Sequence, residues 1–107
     1  MAFEQGDLIE VDFDPTLGHE PQKRRPALVV SSSEFNEATS MTIVCPITSH
    51  MNGFFLHEPL PKGVQIQGEV VMEQVRALDI EARDAKKIGV LDQDVLEPVL
   101  VCLRSFF

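Results

Sequence analysis

GDLIEVDFDPTLGHEPQKRRPALVVSSS, Gly6 to Ser33, decides how this chain is read. Leu8, Ile9, Val11 and Phe13 are interleaved with Asp7, Glu10 and Asp12, the alternation of a half-buried strand. Asp14-Pro15 ends that strand, and Gly18 marks a turn. Pro26 opens a second run, Ala27-Leu28-Val29-Val30, which is apolar on both faces and so reads as a central strand; a proline is acceptable at a strand's start. Between the runs lies a polar turn holding His19, Glu20, Lys23, Arg24 and Arg25. A second polar segment, Pro46-Ile47-Thr48-Ser49, closes another strand-like run that begins at Met41. An imidazole, a carboxylate, guanidinium groups and hydroxyls in two loops form a plausible set for handling a phosphodiester.

Working outward, Ser31 to Ser40 reads as a polar connection with one helical turn around Glu34 to Ala38. Asn52-Gly53 is a hairpin-type turn signal, followed by a short strand at Phe54 to His57 and a loop from Pro59 to Gly63. Val64 to Val75 holds one or two strands, with Gly68 as a bend or bulge. Asp79 to Ala85 reads as a short helical stretch, closed by Lys86-Lys87-Ile88-Gly89 with cations and a glycine. In the tail from Asp92 to Phe107, Val95, Leu96, Val99, Leu100, Leu103 and Phe107 fall on one face at helical spacing. Asp92 or Asp94 is the expected N-cap. Pro98 is in tension with that helix, because an interior proline costs about 3 kcal/mol; the expectation is that the regular helix begins near Glu97-Pro98. Many short strands and one terminal helix predict a mainly β chain with some α, built as a small, strongly curved antiparallel sheet or barrel with the helix packed on it.

At 107 residues, residues 1–107 are expected to form a single domain. No apolar run approaches the ~20 residues of a membrane span, and MAFEQGD lacks the basic start and apolar stretch of a secretory signal. A cytoplasmic protein is expected, with no membrane association. Cys45 and Cys102 sit among apolar neighbours and read as reduced, buried thiols. There is no C-x-x-C, and His19, His50 and His57 show no ligand spacing, so no metal and no cofactor are expected. The formal net charge of −8 argues against a nonspecific nucleic-acid binder. Any polyanion has to be gripped locally, by the Lys23-Arg24-Arg25 group or the one around Arg76, Arg83, Lys86 and Lys87.

These residues, in this order, resemble the MazF/PemK (Kid, ChpB-like) family of endoribonuclease toxins from type II toxin–antitoxin modules. The pattern G-D-[IL]-x-x-V-x-F-D-P-x-x-G-H-E-x-x-x-x-R-P-A-L-V-[LV]-S is matched from Gly6 to Ser31. MTIVCPITS, Met41 to Ser49, is similar to the family's strand ending in P-[IVC]-T. Glu73-Gln74-Val75-Arg76-Ala77-Leu78-Asp79 resembles its [DN]-Q-x-[RK]-x-[ILM]-D segment, and Ala82-Arg83 with Lys86 to Gly89 continues the match. The resemblance implies an SH3-like small barrel with a C-terminal helix, a homodimer, and a metal-independent, sequence-specific endoribonuclease acting on single-stranded RNA such as mRNA. It also implies a cognate MazE-like antitoxin whose acidic, initially disordered segment lies along the RNA-binding surface. A different class stays open: a non-nucleolytic binding protein on the same scaffold, acting on a protein target such as a topoisomerase, which the acidic charge suits.

RNA carries its own nucleophile, so cleavage needs a base for the 2′ proton, an acid for the leaving 5′ oxygen and donors for the phosphate oxygens. By resemblance Arg25 is the catalytic arginine, and its guanidinium presents a fixed fork to phosphate. Thr48 holds the family's threonine position as a phosphate donor; a backbone-bonding strand-end threonine is the alternative, and Ser49 can share either role. His19 suits proton transfer, with Glu20 to orient it or act as base, or the pair belongs to a solvated turn. Lys23 and Arg24 read as charges steering phosphate. Kid-like members carry an arginine and an aspartate as acid and base where this chain has Val71 and Glu73; valine cannot be an acid, and Glu73 is either a base of longer reach or a polar strand-end residue. Gln74 bonds a base edge or holds a loop. Arg76 contacts phosphate or pairs with Asp79, the pair being preferred. Phe54 and Phe55 are the available stacking platforms for bases, one expected in the core and one exposed.

Overall fold

A computed structural model gives the structure of the chain and describes residues 2–13 and 24–107. Seven strands and two helices follow in the order β1 (Asp7–Asp12), β2 (Arg24–Val29), α1 (Ser33–Thr39), β3 (Thr42–Thr48), β4 (His57–Pro59), β5 (Glu69–Val71), β6 (Arg76–Leu78), β7 (Lys86–Val90) and α2 (Gln93–Arg104). Every pairing is antiparallel. The sheet runs β4-β5-β3-β2-β1-β7, with β6 added to β3. The expected curved antiparallel sheet with a C-terminal helix is what the chain forms.

The sheet is buried on both faces, and the period-2 geometry of a strand divides its side chains between two cores. Leu8, Leu28, Cys45, Ile47 and Val70 join Leu96, Val99, Leu100 and Leu103 of α2 on one side. Ile9, Val11, Ala27, Val29 and Val44 join Leu78 and Ile80 on the other, with Phe3 and Phe13 against them. Strand β1, which alternation alone marks as half-buried, is therefore covered on both faces.

Strand β3 is the shared element. On one side it pairs with β2 from Val44 to Pro46. On the other it pairs first with β6, at Thr42 to Val44, and then with β5, at Ile47 and Thr48. Pro46 falls in the gap between those two partners, where a missing N–H breaks no ladder. Gly68 makes the second pairing possible. At φ +141° and with Thr48 O only 2.2 Å from where a Cβ would stand, no side chain fits there.

Four segments differ from the sequence reading. Lys86 to Val90 is a strand, not the end of a helix: it lies against β1, and Lys87 Nζ reaches the buried Asp7 carboxylate at 3.4 Å. Lysine-rich ends of sheets are common because charge blocks further strand addition. The helical stretch before it shrinks to one 3-10 turn, Glu81–Arg83. The short strand expected from Phe54 begins only at His57. Finally, α2 begins at Gln93 with Asp92 as its N-cap residue, so Pro98 is interior. Burial of Leu96, Val99, Leu100 and Leu103, at roughly 1.5–3 kcal/mol each, outweighs the ~3 kcal/mol of one proline. The helical turn read around Glu34 to Ala38 is α1, with Ser32 Oγ accepting from Phe35 N.

Gly68→Ala is expected to lower stability by about 3 kcal/mol or more, since positive-φ strain adds to a backbone collision. Urea unfolding reads this directly; an unchanged midpoint would mean that β5 does not depend on this approach.

Candidate active site

Adjacent arginines on β2 point to opposite faces, and the structure gives them different work. Arg24 is tied down: Nε is 3.5 Å from Glu10 Oε1, Nη1 3.5 Å from Asp84 Oδ2, and Nη2 donates to the Glu10 carbonyl at 3.1 Å. Arg25 is exposed and has no ion pair or hydrogen bond to any described residue. It lines a cleft of about 520 Å³ together with Phe13, Pro46, Ile47, Thr48, His50, Asn52, His57, Val71, Glu73, Gln74 and Arg76. The end of β1, the start of β2, the ends of β3 and β5, the start of β4, the 3-10 turn Met72–Gln74 and β6 all converge there.

Among residues singled out from sequence, the cleft unites Arg25, Thr48, Glu73, Gln74 and Arg76. Thr48 Oγ1 accepts from the His50 amide at 3.1 Å, which leaves its own O–H free to donate to a bound anion. Of the two roles weighed for this threonine, the backbone contact is present, and it does not consume the hydroxyl proton. Arg76 makes no ion pair with Asp79; its guanidinium carbon lies 4.6 Å from the centre of the Phe13 ring. A cation held over an aromatic face keeps its charge available to the cleft.

Other expectations are placed elsewhere. Ser49 is exposed and outside the cleft lining, and Arg24 is committed to Glu10 and Asp84. Phe54 and Phe55 are both exposed, at 42% and 81%, rather than one being core. The turn that lifts them is held by Asn52 Oδ1 accepting from Phe54 N at 3.0 Å. They meet edge to face at 5.0 Å, and Phe54 meets the His57 ring at 5.4 Å, so the aromatic pair forms a rim beside the cleft. His19, Glu20 and Lys23 lie outside the described residues.

His57 is the feature that sequence reasoning passed over. Its Nδ1 is 2.9 Å from Glu69 Oε1 and its Nε2 is 3.1 Å from Glu73 Oε2. Glu69 is almost wholly buried and also accepts from the amides of Asn52 and Gly53 at 3.4 and 3.2 Å. A lone histidine whose carboxylates follow 12 and 16 residues later offers no local motif. Burial works against charging His57, but the hydrogen bonds to Glu69 and then Glu73 outweigh it and hold its pKa above the ordinary value. The His57 hydrogen bond holds the Glu69 carboxyl below its ordinary range; burial opposes this, and the Gly53 and Asn52 amides assist.

Cys45, behind the cleft, is no nucleophile: burial, then the proximity of Cys102 and Glu73, pushes its thiol up to about 12. Both cysteines are free, although Cys102 is only partly buried. Among the described residues no group of three or more His, Cys, Asp or Glu side chains is placed to hold a metal ion, and no helix is long and apolar enough to cross a membrane.

Comparison with known proteins gives one consistent picture. The family model described as PemK-like, MazF-like toxin of type II toxin–antitoxin system matches residues 4–107. The chain is 42% identical to the endoribonuclease toxin ChpB of Escherichia coli strain K12, over 96% of this chain and 92% of that one. It is 36% identical to the endoribonuclease toxin MazF of the same organism, over 88% and 84%. MazF from Deinococcus radiodurans superposes with a TM-score of 0.86 at 34% identity, covering 99% of this chain and 96% of the other. The MazF chain of a MazE–MazF complex from that organism gives 0.85 at 30%, covering 99% and 95%.

The clamp on His57 predicts a pH signature. A raised folded pKa adds stability that is full below the unfolded value and lost as pH rises through the folded one; the lowered Glu69 contributes above the ordinary carboxylate range and loses its part in acid. The stability advantage of the wild type over His57→Gln in urea melts is expected to shrink as pH rises from about 6.5, the ordinary histidine value, through the raised folded pKa. A difference that stays flat over that interval would show that the ring is not charged.

Proposed function

The chain belongs to the PemK-like, MazF-like toxins of type II toxin–antitoxin systems, and on that premise we propose that its cleft cleaves single-stranded RNA by internal attack of a 2′ hydroxyl on the adjacent phosphorus. The observation that carries this reading is Arg25, an exposed guanidinium without a protein partner among the described residues, facing the same cleft as the Thr48 hydroxyl, the His57 imidazole and the Glu73 carboxylate. A guanidinium fork matches two equatorial phosphate oxygens and gains most as charge builds on them in the pentavalent state. Thr48 adds a neutral donor and Arg76 a second cation. The RNA supplies the nucleophile, so the products are a 2′,3′-cyclic phosphate and a 5′ hydroxyl. Phe54 and Phe55 on the rim offer faces on which unpaired bases stack.

With a formal net charge of −8, nonspecific attraction to RNA is weak, and recognition depends on the local cations. The same cations suit a MazE-like antitoxin that lays an acidic segment across the cleft and so blocks RNA. A homodimer has its own support. A second, largely apolar cleft of about 420 Å³ between α2 and the β3–β6 edge is lined by Val30, Ile43, Val75, Ala77, Leu100 and Leu103. Phe107, fully exposed in the isolated chain, adjoins it.

In EDTA, purified protein is expected to cut a long single-stranded RNA at a recurring short motif, leaving 5′-hydroxyl ends. Arg25→Ala is expected to lose about 100- to 1,000-fold in rate with an unchanged melting curve. Undiminished cutting by that variant would remove Arg25 from the mechanism; no cutting by the wild type would favour a toxin with a protein target.

For the dimer, sedimentation at micromolar concentration is expected to give twice the chain mass. Ala77→Glu, at an exposed position of β6, is expected to shift the protein toward monomer. A monomeric wild type would dismiss the pairing.

A further inference from the structure

His57 and Val71 are direct partners in the β4–β5 register, so their side chains rise from the same face of the sheet. Val71 has no proton to give, and His57 has. One nitrogen of its ring rests on Glu69, a carboxylate 3% exposed and fixed in turn by the Asn52 and Gly53 amides. The other meets Glu73, which lines the cleft with it. A buried carboxylate on Nδ1, with Nε2 given to the reacting space, is the arrangement by which a third group orients an acid–base histidine and stabilises its charged form. The His57 side chain is only 7% exposed and that of Glu73 is 34% exposed, so the acid is sheltered and the carboxylate partner is open to substrate.

Resting on the ribonuclease reading, we propose that His57 is the general acid that protonates the leaving 5′ oxygen, with Glu69 as its positioning residue and Glu73 as the base for the 2′ hydroxyl. Glu73 takes the 2′ proton as the 2′ oxygen forms its bond to phosphorus. The bond from phosphorus to the 5′ oxygen breaks, and that oxygen leaves with the Nε2 proton of His57. The step ends with Glu73 protonated and His57 neutral. Because the two groups are 3.1 Å apart without substrate, one proton transfer from Glu73 to Nε2 resets both, and no outside proton enters the balance. The charged groups sharing the cleft with the ring are Glu73, Arg25 and Arg76, with His50 as a further titratable neighbour; Glu69 lies behind it. The two carboxylates keep the ring protonated to a higher pH than a free imidazole, which is what an acid near neutrality requires.

The test uses a short RNA bearing the site mapped on a long transcript, made in two forms: ordinary, and with sulfur replacing the 5′ bridging oxygen. A thiolate leaves without being protonated, so only the ordinary form needs the acid. His57→Gln is expected to lose about 100-fold or more on the ordinary RNA and to return to within about tenfold of wild type on the sulfur form. Arg25→Ala is expected to lose on both, because phosphate charge is stabilised in either case. Glu69→Gln removes a charge that holds the proton on His57. Activity falls as pH rises through the pKa of an acid, so the alkaline limb of its pH–rate profile is expected to move to lower pH. Equal losses by folded His57→Gln on both RNAs would overturn the proposal while leaving the ribonuclease reading intact. Should His57→Gln not fold, the Glu69→Gln profile decides, and an unmoved alkaline limb overturns it. A wild type that cuts neither RNA would bring down the ribonuclease reading itself.

Discussion

The structure depends on β3 being shared. Its early residues complete one part of the sheet with β2 and β6, and its last two residues start another with β5. Two residues with missing atoms permit this: Pro46, whose absent N–H falls where no partner waits, and Gly68, whose absent Cβ leaves room for the Thr48 carbonyl. One side of the cleft follows from that corner. Thr48 is the end of β3. Glu69 begins the strand that Gly68 admits, and His57 is held on the strand that pairs with β5. Glu73 follows on the 3-10 turn that leaves it.

Electrostatically the chain concentrates a few cations within an acidic whole. Its carboxylates are distributed so that they hold some cations and leave others free. Glu10 and Asp84 take Arg24, Asp7 takes Lys87, and Glu69 with Glu73 takes His57. Arg25 is left without a carboxylate among the described residues, and Arg76 is given an aromatic face instead. Exposed pairs of the Arg24 kind contribute little to stability, of order 0–1 kcal/mol. Their value here is in where they put charge.

What was legible in the sequence was what local pattern encodes. Strands β1, β2 and β3 announced themselves by alternation and by apolar runs, and α2 by its helical stripe. Arg25, Thr48, Glu73, Gln74 and Arg76 stood out through motif order, and they do share a cleft. The misreadings have a common cause in ambiguous or distant signals. Lysines followed by glycine end helices and also guard the last strand of a sheet, so local pattern does not distinguish β7 from a helix end. Proline is a poor helix residue in isolation, yet burial of Leu96, Val99, Leu100 and Leu103 around Pro98 decides the extent of α2. Arg76 has an acid three residues away in sequence, whereas its partner, Phe13, is 63 positions earlier. His57 carried no pattern at all, because its environment is made by β4 and β5 coming together.

The alternation of Arg24 and Arg25 has a corollary. Side chains on a strand change faces at every step, so the two arginines are distinguished by register alone. Exchange of Arg24 disturbs only the face that meets Glu10 and Asp84, and exchange of Arg25 only the face that meets the cleft. Gain or loss of a single residue between them and Ala27, with the apolar register of β2 kept by burial, would turn both at once, sending the free cation to Glu10 and the paired one into the cleft. A change in length there therefore disturbs both faces of β2 at once, where a change of residue disturbs one.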